Sequence, residues 1–211
     1  MIWYVIPARK NSKGYPNKNR HLLNLTLHDF PEELYKNLIV TTDDQYIENK
    51  LDEEINVLQR KAELSGDNIS VKDVLKDVVK KYKIKDNDTI VMLYLTYPGR
   101  TFQDVKRTLE FFKNKKANSL LCKMKIHSHP YLCMEVVGDF KGKQVIKHNL
   151  YRRQDYPQCF ELSHFVCIFK SKELKKLNSN MYNKNTLFYP VQKHVDVDYE
   201  EDYKKYNEEI K

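Results

Sequence analysis

The densest candidate chemistry lies in residues 6–19, "IPARKNSKGYPNKN", where Arg9, Lys10, Lys13 and Lys18 crowd together just before Arg20. Gly14 and Pro16 interrupt the stretch, so no helix spreads these charges apart. Like charges repel, and such a loop is either a solvated turn or a cradle for a strongly anionic group. As a cradle it suits a triphosphate. Gly14 lets backbone N–H groups approach oxygens, Ser12 and Asn19 add neutral donors, and Arg9, Lys13 and Lys18 offset the charge. It is not a Walker loop: neither GxxxxGK[ST] nor GxGxxG occurs.

Two other clusters could do chemistry. In "HVDVDYEED", Asp196 and Asp198 alternate as on a strand, which projects both from one face. Paired carboxylates suit Mg²⁺, which takes one or two of them plus phosphate oxygens and water; the alternative is an exposed acidic strand end. In "YRRQDYPQCF", Arg152 and Arg153 stand beside Gln154 and Asp155. Adjacent arginines favour an anionic ligand, with structural pairing to Asp155 as the competing account. His127 and His129 read as a turn, His164 as a packed strand residue, and no HExxH spacing occurs.

These clusters need elements to position them. The runs 2–8, 37–42, 55–60 and 89–96 are apolar and β-branched and read as strands. Between the last two, Val71, Val74, Leu75, Val78, Val79 and Tyr82 fall on one side of a helix. A second helix follows through Phe102, Val105, Leu109 and Phe112, with Thr101 as N-cap. Alternating strands and helices predict an α/β fold, a parallel sheet covered on both faces. Residues 131–148 read as a hairpin turning near Gly138–Gly142, 161–170 as a strand, and the segment from Tyr199 onward as a charged helix. In an open α/β sheet the ligand sits beyond the carboxyl ends of the strands, which selects loops 8–20, 43–46, 60–67 and 96–101.

At 211 residues the chain fits one domain, 1–211. A net charge of +8 favours anionic partners without separating nucleotides from nucleic acid. Cys122, Cys133, Cys159 and Cys167 form no CxxC pair and read as buried thiols in a reducing compartment. With no apolar stretch long enough to span a bilayer and no cleavable signal, the expectation is a cytoplasmic protein that engages no membrane.

Taken in order, the motifs resemble the CMP-sialic acid and CMP-Kdo synthetases. "ARKNSKGYPNKN" is similar to that family's signature loop, ARxxSKxxPxKN. "IVTTDD" (39–44), "LQRKAELSGDNIS" (58–70), "LYLTYPGRT" (93–101), "RRQDYPQCF" (152–160) and "VDVDYEED" (195–202) resemble its later elements. The resemblance implies a Rossmann-like nucleotidyltransferase sheet with a small protruding β-hairpin dimerisation arm at 126–150. It implies a Mg²⁺-dependent cytidylyltransferase, a homodimer, moving CMP from CTP to the anomeric hydroxyl of an acidic sugar and releasing pyrophosphate. That sugar would be sialic, pseudaminic or legionaminic acid, or Kdo. Carried over by position, Arg9, Lys13 and Lys18 would act in the chemistry, and with Ala8, Ser12 and Asn19 hold the triphosphate. Arg60, Asp67 and Ser70 would lie near the nucleoside. Tyr94, Thr96, Arg100, Arg153 and Gln154 would meet the sugar, and Asp196 and Asp198 the metal.

Departures from the family pattern concentrate at the sugar. Tyr94 replaces a usual Gln, Gly99 a usual Leu, and "ELSH" (161–164) a usual R-P-N-G. Glu161 would repel an acidic acceptor unless paired or turned away. The alternatives are therefore a different, non-acidic sugar, a relative that binds without catalysis, and, from another class, a nucleic-acid-binding protein using its basic surface.

Overall fold

The computed structural model describes residues 1–209. Its strands are β1 (Ile2–Pro7), β2 (Leu38–Thr42), β3 (Asn56–Gln59), β4 (Thr89–Met92), β5 (Ser119–Lys125), β6 (Met134–Val136), β7 (Gly142–Gln144), β8 (Phe160–Lys170) and β9 (Leu187–Pro190). Its helices are α1 (Lys18–Leu27), α2 (Gln45–Glu48), α3 (Val71–Lys81), α4 (Phe102–Asn114) and α5 (Glu200–Glu209). Seven strands form one sheet in the order β3-β2-β1-β4-β8-β5-β9, and β6 and β7 form a separate hairpin.

Alternate side chains of the central strands are buried on both faces, as crossover helices require. Tyr4 and Ile6 of β1 pack with Leu22 and Leu23 of α1 and with Val105 and Leu109 of α4. Val5, between them, packs on the other face with Leu75 and Val78 of α3. Burying each such aliphatic side chain contributes roughly 1.5–3 kcal/mol. Thr101 caps α4 in a full capping box with Asp104, and Ser70 caps α3 by accepting the Asp73 N–H.

The sheet is not wholly parallel. β8 runs antiparallel between β4 and β5, with Val91 opposite Ile168 and Met124 opposite Glu161. An apolar run carries no mark of its direction, and the arm between β5 and β8 brings the chain back as a hairpin does. The 89–96 run also ladders only to Met92: Leu93 donates to the Val5 carbonyl and the chain then turns into the loop. Residues 195–198 are no strand. One bond, from the Val197 N–H to the Thr96 carbonyl (2.7 Å), fixes the segment, and buried Val197 between exposed Asp196 and Asp198 gives a strand-like alternation without a ladder. Of the thiols, Cys122 and Cys167 are buried but Cys133 is exposed and Cys159 half-buried, since Cys133 lies in the arm and Cys159 just ahead of β8, both outside the sheet's core.

Within residues 126–150, β6 and β7 stand away from the core, and Val136, Phe140 and Val145 are exposed. No helix among the described residues is long and apolar enough to cross a membrane.

Candidate active site

A cleft of about 440 Å³ opens beyond the carboxyl ends of β1, β3 and β4. Four segments build it: the loop after β1 with Arg9, Ser12, Lys13 and Gly14; the start of α1 with Lys18 and Asn19; the segment after β3 with Arg60 and Asp67; and the turn after β4 with Tyr94 and Thr96. Asp198 and Tyr199 close it from the carboxyl-terminal side. Ala8 is fully buried at the loop's root, where its N–H bonds the Thr41 carbonyl (2.9 Å).

Local chemistry shapes the first loop. Asn11 and Asn17 adopt left-handed backbone angles (φ 53° and 54°), which Asn tolerates better than most residues. The Asn19 side-chain amide donates to the Arg9 carbonyl (2.8 Å), and the Lys10 N–H donates to the Asp43 carboxylate (2.7 Å). Gly14 lies so close to the Asp198 carbonyl oxygen that a Cβ there would collide with it and press on the Tyr199 ring. That approach couples the loop to the chain's acidic end.

Three of the cations lining the cleft, Arg9, Lys13 and Lys18, have carboxylate counter-ions. Asp67 accepts from the Arg9 guanidinium (2.6 Å) and pairs with the Lys13 ammonium (2.8 Å). Lys13 first and Arg9 second hold the Asp67 carboxyl below its ordinary range. Lys18, 9% exposed, donates to Asp198 (2.7 Å). Behind the wall, Arg20 makes a two-pronged contact with Asp44 (2.6 and 2.9 Å), which chiefly holds that buried carboxyl below its ordinary value. Asp44 also caps α2 by accepting the Tyr46 N–H.

Arg60 is buried at the cleft's edge. One terminal nitrogen donates to the Thr41 carbonyl (3.0 Å), while Nε has no partner. Burial pulls its pKa down. A buried donor without an acceptor costs free energy, and the residue that carries it lines the cleft. Tyr94 lies opposite, its phenol pushed up by burial and set edge-on to His164 at 5.8 Å.

The remaining predicted residues scatter. Ser70 caps α3 rather than lining the cleft, although its neighbours Ile69 and Val71 do line it. Arg100 turns into the core, 5% exposed, and donates to the Phe165 carbonyl (2.8 Å). Burial pulls its pKa down to about 10. Arg153 and Gln154 are exposed on a short 3-10 turn beyond the arm, where Arg152 pairs with Asp155. Asp196 is exposed beside the Tyr97 phenol rather than on the cleft wall. His194 anchors this segment by stacking on Phe165 at 4.1 Å. Its Nδ1 faces the Gln192 carbonyl (2.8 Å) and its Nε2 faces the Ser163 hydroxyl (3.0 Å). The carbonyl fixes the proton on Nδ1, so the hydroxyl donates to Nε2.

A polar cleft beyond the carboxyl ends of the strands, walled by a cationic loop, lies where an open α/β sheet places its ligand. A cytidylyltransferase family profile matches residues 3–211. The chain belongs to the cytidylyltransferase family. It is 29% identical over 220 residues to the N-acylneuraminate cytidylyltransferase of Streptococcus agalactiae serotype V, covering 94% of this chain. The chain spans about half (51%) of that protein's length. It is 25% identical over 218 residues to the CMP-N,N'-diacetyllegionaminic acid synthase of Campylobacter jejuni, covering 96% of this chain and 92% of that one. Its fold is similar to that of CMP:2-keto-3-deoxy-manno-octonic acid synthetase complexed with CTP, with a TM-score of 0.67 at 16% identity. That match covers 99% of this chain and 98% of the other.

Sequence reasoning missed Tyr199 on the cleft wall and the Arg20–Asp44 pair behind it. For Tyr199 a signal existed: Tyr199, Tyr203 and Tyr206 recur at helical spacing before and along α5.

Proposed function

We propose that this family member transfers CMP from CTP to the anomeric hydroxyl of an acidic sugar and releases pyrophosphate. The observation that carries the reading is the convergence of Arg9, Lys13 and Lys18 on one cleft beyond the carboxyl ends of the strands, in a chain with the family's motifs in order. Phosphoryl-type transfers ask a protein mainly to position groups and offset charge. The sugar oxygen attacks the α-phosphorus, the bond to the bridging oxygen breaks, and pyrophosphate leaves as the hydroxyl gives its proton to water. Arg9 and Lys13 bind and orient the outer phosphates in place of the Asp67 carboxylate. Lys18, buried and already aimed into the cleft, offsets charge growing on the departing group. Arg60, on the same cleft wall, serves the nucleoside end.

The donor set fits a magnesium ion held through one or two carboxylates. Asp198 is on the wall and Asp196 is two residues away and exposed; among the described residues no group of three or more His, Cys, Asp or Glu gathers as a closed metal site would need. When bound, such an ion neutralises phosphate charge. The exposed arm, with Phe140 and Val136 at its tip, supports a homodimer in which the arm completes a neighbouring site. The same reading makes the protein cytoplasmic, where CTP is available, with no membrane or nucleic-acid partner.

For the acceptor, the nonulosonic acids are favoured by the names of the relatives. A second reading, an acceptor without a carboxylate, draws on one observation: neither Arg100 nor Arg153 lines the cleft. A pyrophosphate-release assay with each of the four nucleoside triphosphates against a panel of sialic, legionaminic and pseudaminic acids, Kdo and sugars without a carboxylate separates the readings. Turnover with CTP and one acid is expected. No turnover with any pair contradicts the proposal.

A further inference from the structure

We infer that Tyr203 of α5 is a positioning residue for the nucleotide: it clamps the cationic loop after β1 by covering Tyr15. The inference rests on the proposed binding of CTP in this cleft. The loop gathers several cations and carries two left-handed Asn residues, so its shape must be held by its contacts. Its anchor is Tyr15, 8% exposed, whose hydroxyl meets His21 Nδ1 at 2.7 Å. Over Tyr15 lies the Tyr203 ring, with centroids 5.6 Å apart and planes 33° from parallel. Such ring pairs contribute beyond the area they bury.

α5 reads EEDYKKYNEE, so the tyrosines are its only large apolar side chains. A helix this polar has no broad apolar stripe to hold it. What it does hold is specific. The Asp202 carboxylate accepts the N–H groups of Asp198 and Tyr199 at the helix start, which sets the Asp198 carbonyl against Gly14. At the other end the Tyr206 hydroxyl donates to the Pro98 carbonyl (3.3 Å), in the turn after β4. One helix thus ties together the loop after β1 and the turn after β4, two walls of the same cleft. Tyr203 does not line the cleft; it acts through Tyr15 and the loop's shape.

The test uses the full chain with Tyr203→Ala and Tyr203→Phe. Calorimetry with CTP should show Kd raised tenfold or more in Tyr203→Ala, while kcat at saturating CTP falls less than threefold. Without nucleotide, amide hydrogen exchange at Lys18, Arg20 and His21, whose N–H groups bond the loop's Tyr15 and Asn17 carbonyls, should quicken at least tenfold. Tyr203→Phe, which keeps the ring, should restore both values to within twofold of wild type. A Kd within twofold of wild type and unchanged exchange in Tyr203→Ala overturn the inference. If that variant does not fold, Tyr203→Leu keeps apolar volume and loses the ring; Kd should rise threefold or more, and an unchanged Kd overturns the inference. Should the wild type bind no nucleoside triphosphate, the proposed activity fails, and the exchange measurement alone decides the clamp: quickened exchange upholds it and unchanged exchange overturns it.

Discussion

Lys18→Met separates stability from chemistry more cleanly than any other change in the cleft. The Lys18 ammonium sits 2.7 Å from Asp198, whose own side chain is 64% exposed. Removing the ammonium therefore leaves no carboxylate stranded away from water, and the lost pair costs about 0–1 kcal/mol, as exposed pairs do. Met preserves most of the volume of the buried stem, which Ala would not. In the reaction the same ammonium counts for more. Withdrawing one preorganised donor from a site of growing negative charge costs about 2.7–4 kcal/mol, a loss of roughly 10²–10³ in kcat. The chemical effect outweighs the structural one several-fold. Pyrophosphate release measured beside thermal unfolding tests this: kcat should fall by about two to three orders of magnitude while the melting temperature moves by only a few degrees. Turnover within threefold of wild type refutes the role given to Lys18.

Asp67→Asn removes the carboxylate that competes with phosphate for Arg9 and Lys13, so CTP should bind several-fold tighter at low salt; weaker binding by calorimetry would mean that Asp67 contacts the nucleotide directly. Gly14→Ala forces a Cβ against the Asp198 carbonyl, which is backbone and cannot swing aside, so CTP binding and stability should both fall, the latter by about 1–3 kcal/mol; an unchanged melting temperature contradicts the packing. The depressed pKa of Asp44 predicts acid sensitivity. Its contribution is full above the ordinary value of 3.8 and is lost as pH falls through the lower folded value. Asp44→Asn should lower stability at neutral pH by about 1–3 kcal/mol and flatten the acid limb of the unfolding curve; superimposable acid limbs rule this out.

The parts of the fold written in local pattern were legible. The spacing of Val71, Val74, Leu75 and Val78 gives α3, and Thr101 with Asp104 marks the start of α4. The first strand followed at once by cations located the cleft, because a strand's carboxyl end is where such a loop can face a ligand. What local pattern cannot encode was missed. Strand direction is set by pairing partners, so antiparallel β8 was invisible in its own residues. Burial of a charged side chain depends on where a turn aims it: "PGRT" reads like exposed loop chemistry, yet Arg100 points inward to a carbonyl 65 residues away. The alternation in 195–198 was real in burial, but the segment is held by a single long-range bond to Thr96, not by a sheet. The site's negative counter-ions, Asp67 for the loop cations and Asp198 for Lys18, come from distant segments that only the fold brings together.

The central claim is that a cationic loop after β1 and an acidic segment near the chain's end form one grip on a nucleotide's polyphosphate. A crystal structure of the protein with CTP and Mg²⁺ tests it most directly. The account predicts triphosphate oxygens within hydrogen-bond distance of Arg9, Lys13 and Lys18, with the metal at Asp198. CTP bound elsewhere, or a cleft still closed by the Asp67 and Asp198 ion pairs at saturating CTP, would contradict it.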